Sequence, residues 1–175
     1  KINLAADRRR SLPAVWPLGG APLVVIGRSF DENVTPIRGT AKALVSDATP
    51  YLMERSIGRG LTDVYLADLT TGERTLLKKG VGGTVSASAA GKYAIYADNG
   101  HYFTIDLATK AIVNITANAK TSFADTESDS TSPQRPMFGI GGWTKDDEAG
   151  VLYDKFDIWK VSARGTMGSK FSSGS

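Results

Sequence analysis

The chain has 175 residues, enough for one domain with a sizeable core. It is 41% hydrophobic and 22% charged, has 19 glycines and carries a formal charge of +3, which places it among turn-rich globular chains rather than disordered ones. With no cysteine it forms no disulfide and no cysteine-ligated metal site, and without a basic stripe interleaved with aromatics its mild charge makes no nucleic-acid surface.

The N-terminal stretch ends in Arg8-Arg9-Arg10 and is followed by the uncharged Ser11–Gly27. That order loosely resembles a twin-arginine export signal. Pro13, Pro17 and Pro22 break any apolar helix there, so residues 1–40 read as an irregular lead-in or a degenerate first blade. No stretch reaches the roughly 18 uninterrupted apolar residues that span a bilayer. Leu23–Ile26 is a short apolar run bounded by Pro22 and Gly27, with Asn33–Arg38 as its expected partner. Ala43–Asp47 is the next strand, and Ala48–Thr62, with Pro50, Gly58 and Gly60, reads as a long loop.

Asp63–Leu69 alternates its side chains and predicts a strand; Thr70–Glu73 turns the chain, and Arg74–Lys79 returns. Gly80, Gly82 and Gly83 form a linker to Thr84–Ser88. Tyr93–Asp98 and Tyr102–Leu107 flank Asn99-Gly100, a strong hairpin signal because both central residues of that turn need φ above zero. Ala111–Thr116 completes this unit. Ala117–Pro136 has no period and reads as an exposed acidic loop. Val151–Asp154 and Asp157–Ser162 are two further strands, and 167–175 reads as a disordered tail, leaving the last unit without its outermost strand.

Three strands end alike, Ala43–Asp47, Ala94–Asp98 and Gly150–Asp154, and each is followed by a partner. Asp98 to Asp154 and Phe103 to Trp159 are both shifts of 56, so the second and third units share a register. Asp47 to Asp98 is 51 but Tyr65 to Phe103 is 38, which puts an insertion of 13 residues within Ala48–Thr62. Without insertions the spacing is near that of a four-stranded propeller blade, about 40 residues. A single such sheet cannot bury both faces, whereas stacked sheets can. The expected fold is therefore all-β, a partial β-propeller of about three antiparallel-sheet blades over 41–166 (about 41–80, 84–116 and 138–166). Tyr65, Phe103 and Trp159 occupy equivalent positions and are the expected inter-blade packing residues.

The segments Asp63–Glu73, Ser86–Asp98, Tyr102–Thr109 and Gly142–Ser162 resemble blades of the N-terminal β-propeller of bacterial prolyl oligopeptidase family serine peptidases. The resemblance covers roughly Ala43–Thr166. It implies a non-catalytic segment that gates or admits peptide substrate to an α/β-hydrolase domain, with peptide or protein as partner and a lean toward the bacterial periplasm or cell envelope. The sequence departs from the family pattern at Lys110, where a turn glycine is expected, and at Ala89-Ala90. No G-x-S-x-G nucleophile elbow occurs in the chain, so no catalytic residue carries over and the chain is expected not to be an enzyme. The alternative, from another class, is a stand-alone propeller-type protein or peptide interaction module.

Individual residues offer little chemistry. His101 is the sole histidine and lies beside the hairpin turn, which makes it a partly exposed strand residue. Asp125, Glu127 and Asp129 have the alternating spacing that opens a calcium loop, yet Ser130 stands at the glycine position and Pro136 at that of the bidentate glutamate. They are at most a weak metal candidate, and no cofactor is expected. Gly80–Thr84 has no following lysine or helix to make a phosphate loop. With about three blades, open blade edges are expected to promote self-association.

Overall fold

Local strand pairing builds four antiparallel layers in chain order. The structure is a computed structural model and describes residues 10–56, 60–129, 135–165 and 169–170. A two-stranded ribbon comes first, β1 (Ala14–Val15) with β2 (Val24–Val25). Three four-stranded sheets follow. Blade 1 holds β3 (Glu32–Pro36), β4 (Lys42–Asp47), β5 (Leu61–Asp68) and β6 (Arg74–Gly82). Blade 2 holds β7 (Ser86–Ala87), β8 (Tyr93–Asp98), β9 (His101–Asp106) and β10 (Ile112–Asn114). Blade 3 holds β11 (Ile140–Trp143), β12 (Ala149–Tyr153), β13 (Ile158–Ser162) and β14 (Ser169–Lys170). Each sheet is a simple meander, so the chain is an all-β partial propeller of three blades.

Register makes the blades equivalent. Val45 pairs with Tyr65, Tyr96 with Phe103, and Leu152 with Trp159. Because side chains alternate along a strand, each pair points toward the preceding layer and its neighbours toward the following one. Leu44, Val64, Leu66 and Leu77 of blade 1 thus meet Ala94, Tyr96, Ile105 and Leu107 of blade 2. The other face of blade 2, with Ile95 and Tyr102, meets Leu152 and Val161 of blade 3. Blade 2 is covered on both sides, which is why Tyr93–Tyr96 is apolar without a break and wholly buried.

Sharp turns join the strands where the sequence supplies the conformation. Asn99 and Gly100 have φ of 48° and 79°, as the two-residue hairpin requires. Gly72 closes the β5–β6 turn at φ 76°, and Asp68 Oδ1 accepts from the amides of Thr70 and Thr71. Asp106 repeats this with Ala108 and Thr109, but the left-handed position falls on Lys110, at φ 66°.

Several expectations are corrected. Asn33–Arg38 does not pair with Leu23–Ile26; β2 pairs with β1, and β3 pairs with β4. The lead-in therefore ends before residue 40, and blade 1 begins at Glu32. Pro36 is tolerated because β3 is an edge strand. The Ala48–Thr62 insertion is not a plain loop: it contains a 3-10 turn, Thr49–Tyr51, and a short helix α1, Leu52–Ser56. The last blade does have a fourth strand, since Ser169 pairs with Lys160 and Lys170 with Trp159. Backbone pairing and the Lys170 ammonium, 2.5 Å from Asp157 and 5.5 Å from the Trp159 ring centre, hold it there without any apolar residue of its own. Residues 1–9, with Arg8 and Arg9 of the export-like pattern, and 171–175 lie outside the described residues. Among the described residues no helix is long and apolar enough to cross a membrane.

Candidate functional site

A meander sends its connections to two ends. The first-to-second and third-to-fourth strand turns leave at one end. The second-to-third and inter-blade connections leave at the other, among them the two long ones, 48–60 and 115–139.

At the short-turn end the blades are stitched together. Asp147, wholly buried and at φ 60°, accepts from the Ser88 hydroxyl and from the amides of Ala90 and Lys92 in the preceding blade. Burial pushes its carboxyl up, but the Ser88 hydroxyl, those amides and the Lys92 charge outweigh it and hold the carboxyl below its ordinary value. The equivalent turn of blade 2 puts Gly91 against blade 1 so closely that a Cβ there would lie 2.8 Å from Ile37 Cγ2. The hydroxyl of Thr104 donates to the carbonyl of Ala163 across the same blade 2–blade 3 seam at 2.7 Å. These contacts are structural.

The long-connection end forms the candidate site. The 115–139 connection is pinned by Phe123, 2% exposed, whose ring meets Tyr102 edge-on at 6.0 Å and Trp159 at 6.2 Å. Its two arms run back together, with the Asp125 amide donating to Pro136 O at 2.8 Å and the Phe138 amide to Phe123 O at 3.0 Å. Arg135 Nη1 donates to Thr126 O at 2.7 Å. The Tyr102 hydroxyl accepts from the Gly139 amide at 3.2 Å, and burial pushes that phenol's pKa up. On the blade 1 side, Tyr51 donates to the buried Asp63 carboxylate at 2.6 Å; that bond, with burial and the carboxylate's charge, pushes the phenol to about 12.

Between these supports lies an open cleft of about 580 Å³, lined by Gly82, Thr84, Asp98, Tyr102, Arg135 and Met137 among others. A second, of about 510 Å³, adjoins it and shares Asn99, Gly100 and Arg135, with His101 and Lys120 on its far side. The lining of the first cleft includes Arg135, whose Nη1 also donates to the Thr126 and Ser128 carbonyls, Asp98, and the apolar Ala97, Met137 and Ile140. That set suits an extended peptide backbone with a charged group.

The sequence-predicted residues fall in different places. Tyr65 lies under the ribbon with Ile26, Val45 and Ala67. Phe103 stacks on Tyr96 at 5.3 Å and packs on the blade 1–blade 2 core. Trp159 packs on the blade 2–blade 3 core and donates from Nε1 to Asp154 Oδ2 at 2.7 Å. Asp125 Oδ1 accepts from the Glu127 amide, Glu127 pairs with Lys155 at 2.6 Å, and Asp129 is exposed. Among the described residues no group of three or more His, Asp or Glu is disposed to hold a metal ion. His101 Nδ1 lies 3.2 Å from the Thr116 hydroxyl. Sequence reasoning missed Arg135 and Asp147. Arg135 stands alone in an aperiodic loop, and Asp147 sits inside the Asp146-Asp147-Glu148 run, where nothing separates a buried carboxylate from its exposed neighbours.

No family model matches the sequence, and no curated protein matches it significantly. Among solved structures, TolB from Acinetobacter baumannii superposes with a TM-score of 0.51 at 19% identity, over 87% of this chain and 35% of that one. An oligogalacturonate lyase in complex with manganese gives 0.47 at 17% identity, over 78% and 38% of the respective chains. A TolB-type protein from Agrobacterium tumefaciens gives 0.47 at 16%, over 83% and 47%. The chain thus spans between about a third and a half of the lengths of these structures. The likeness to the first of them shows the β-propeller fold and nothing finer.

Proposed function

We propose that the chain is a non-catalytic β-propeller segment that admits or holds peptide at its long-connection end, as part of a prolyl oligopeptidase-like serine peptidase whose α/β-hydrolase domain lies outside this sequence. The observation that carries the reading is the cleft whose lining includes Arg135, Asp98 and the apolar Ala97, Met137 and Ile140. The family is proposed from the resembling segments: Asp63–Glu73 covers most of β5 and the turn after it, Tyr102–Thr109 lies on β9 and its turn, and Gly142–Ser162 spans most of blade 3. A second reading, a stand-alone propeller-type protein or peptide interaction module, draws on the same cleft.

The test is a titration of the chain with dansyl-Ala-Pro-Ala bearing a free carboxylate, followed by fluorescence anisotropy. Saturable binding that weakens at least tenfold in Arg135→Gln, and for the carboxamide form of the peptide, is expected. Absence of saturation in the millimolar range overturns the peptide reading. Hydrolysis of the peptide by this chain alone, abolished by a serine-directed phosphonate, overturns the non-catalytic assignment.

A further inference from the structure

The ribbon and blade 3 end the stack with faces of opposite kind. Gly72, in the third-to-fourth strand turn of blade 1, approaches Val24 so that a Cβ there would lie 3.2 Å from its Cγ1. Gly165, in the same turn of blade 3, approaches Val113 of blade 2 in the same way, at 2.7 Å. The partner of Val113 in blade 2 is Thr104, and that of Val24 in the ribbon is Val15. β1 and β2 therefore stand where the third and fourth strands of a preceding blade would stand. Val15 and Val24 face blade 1. Their neighbours face outward: Trp16 is 71% exposed, Leu23 58% and Val25 53%. This outer side is a preceding-facing row on which no other sheet of the described residues packs.

Blade 3 presents the complementary row. Leu44, Ile95 and Val151 are equivalent by register, as are Leu66, Thr104 and Lys160. In blades 1 and 2 these following-facing positions are buried by the next blade, with Leu44 2%, Ile95 0% and Thr104 1% exposed. In blade 3, Val151 and Lys160 are only half-buried, and Tyr153 and Ile158 are each 37% exposed.

We propose that a second copy of this chain covers both rows at once. Blade 3 of each protomer packs on the ribbon of its partner through the same kind of seam that joins blades within the chain. Blade 3 of each chain meets the ribbon of the other, and these two equivalent contacts, related by a twofold axis, close a ring. Two chains supply six four-stranded blades and two ribbons, within the range of about four to eight layers that propellers close with. Exposed apolar faces of this kind mark association surfaces. The proposal is independent of the peptide reading, which is tested by anisotropy and not by mass.

Sedimentation equilibrium of the chain is expected to give twice 18.6 kDa. Trp16→Glu and Tyr153→Lys each break both contacts in a homodimer and are expected to give monomers, with far-ultraviolet circular dichroism confirming that the fold is kept. Val151→Lys provides a second probe of the blade 3 face. Mixing Trp16→Glu with Tyr153→Lys leaves one contact intact and is expected to restore the dimer, which a symmetric ribbon-to-ribbon contact would not do. A monomeric wild type, an open ladder of higher oligomers, a Tyr153→Lys variant that folds and stays dimeric, or a mixture that stays monomeric overturns the proposal.

Discussion

Lys110 and Asp147 are two of the four described non-glycine residues in the left-handed region, with Asn99 and Asp146. Lys110 holds φ 66° where the equivalent turn of blade 1 has Gly72 at φ 76°. A non-glycine residue pays about 1–2 kcal/mol there, and glycine gives back roughly 0.5–1 kcal/mol through the entropy of the unfolded chain. Lys110→Gly is therefore expected to stabilise the chain by about 0.5–1 kcal/mol, read as a higher midpoint in urea. Asp147 tolerates its φ of 60° because aspartate is among the residues least penalised there, and because three donors fix it. Its folded carboxyl lies below the ordinary value of 3.8, so the unfolded chain binds the proton first as pH falls. The stability it contributes is fully present above that ordinary value and is lost as pH drops through the folded one. Asp147→Asn keeps one acceptor oxygen and the backbone preference but loses the charge-assisted bonds. A loss of about 1–3 kcal/mol at neutral pH and a shallower acid limb are expected from urea titrations between pH 2 and 7. An unchanged acid limb would remove Asp147 from the account.

At the scale of elements, a buried ion pair ties the first and last strands of blade 1 together and also reaches the residue that follows the ribbon's β2. Arg74 on β6 donates from Nη1 and Nη2 to both carboxylate oxygens of Glu32 on β3, at 2.8 and 2.7 Å, and also donates to the carbonyl of Ile26. Both side chains are almost wholly enclosed, at 4% and 2% exposure. Burial pushes the Glu32 carboxyl up, but the guanidinium and the Arg28 amide outweigh it and hold it below its ordinary value. Removing one partner strands the other charge, so Arg74→Ala is expected to cost about 3–5 kcal/mol, whereas the double variant Glu32→Leu/Arg74→Met recovers most of it. A single variant near wild type in chemical denaturation would show that water reaches the pair. This fastening was not legible in the sequence, because Glu32 and Arg74 are 42 residues apart and each resembles a solvated charge. The same gap explains the mispaired ribbon: two apolar runs separated by prolines carry no register of their own. It also explains β14, which is held by backbone pairing and Lys170 rather than by an apolar row. What the sequence did reveal is whatever repeats, such as the equivalent positions of Tyr65, Phe103 and Trp159 and the Asn99-Gly100 hairpin. The cleft stayed hidden because its walls come from loops whose placement depends on Phe123, a single aromatic in an aperiodic segment.

For the whole molecule, stability follows from how many neighbours a layer has. In a stack where each sheet touches only the layers beside it, local opening is cheapest at the ends. Blade 2 is enclosed by blade 1 through Tyr96, Phe103 and Ile105, and by blade 3 through Ile95 and Tyr102. Blade 3 has one covered face, and its last strand, Ser169–Lys170, is exposed. Amide exchange in Trp16→Glu, where pairing between copies does not intervene, is therefore expected to be slowest in β8 and β9, faster in β12 and β13, and fastest in β1 and β14. The Asp147 and Thr104 contacts cross the seam between blades 2 and 3, so they set how far blade 3 opens alone. Asp147→Asn should speed exchange in β12 and β13 more than in β4 and β5. Uniform acceleration of all three blades would mean that the molecule opens as one cooperative unit. In that case the seams, rather than the individual sheets, would be the stronger part of the structure.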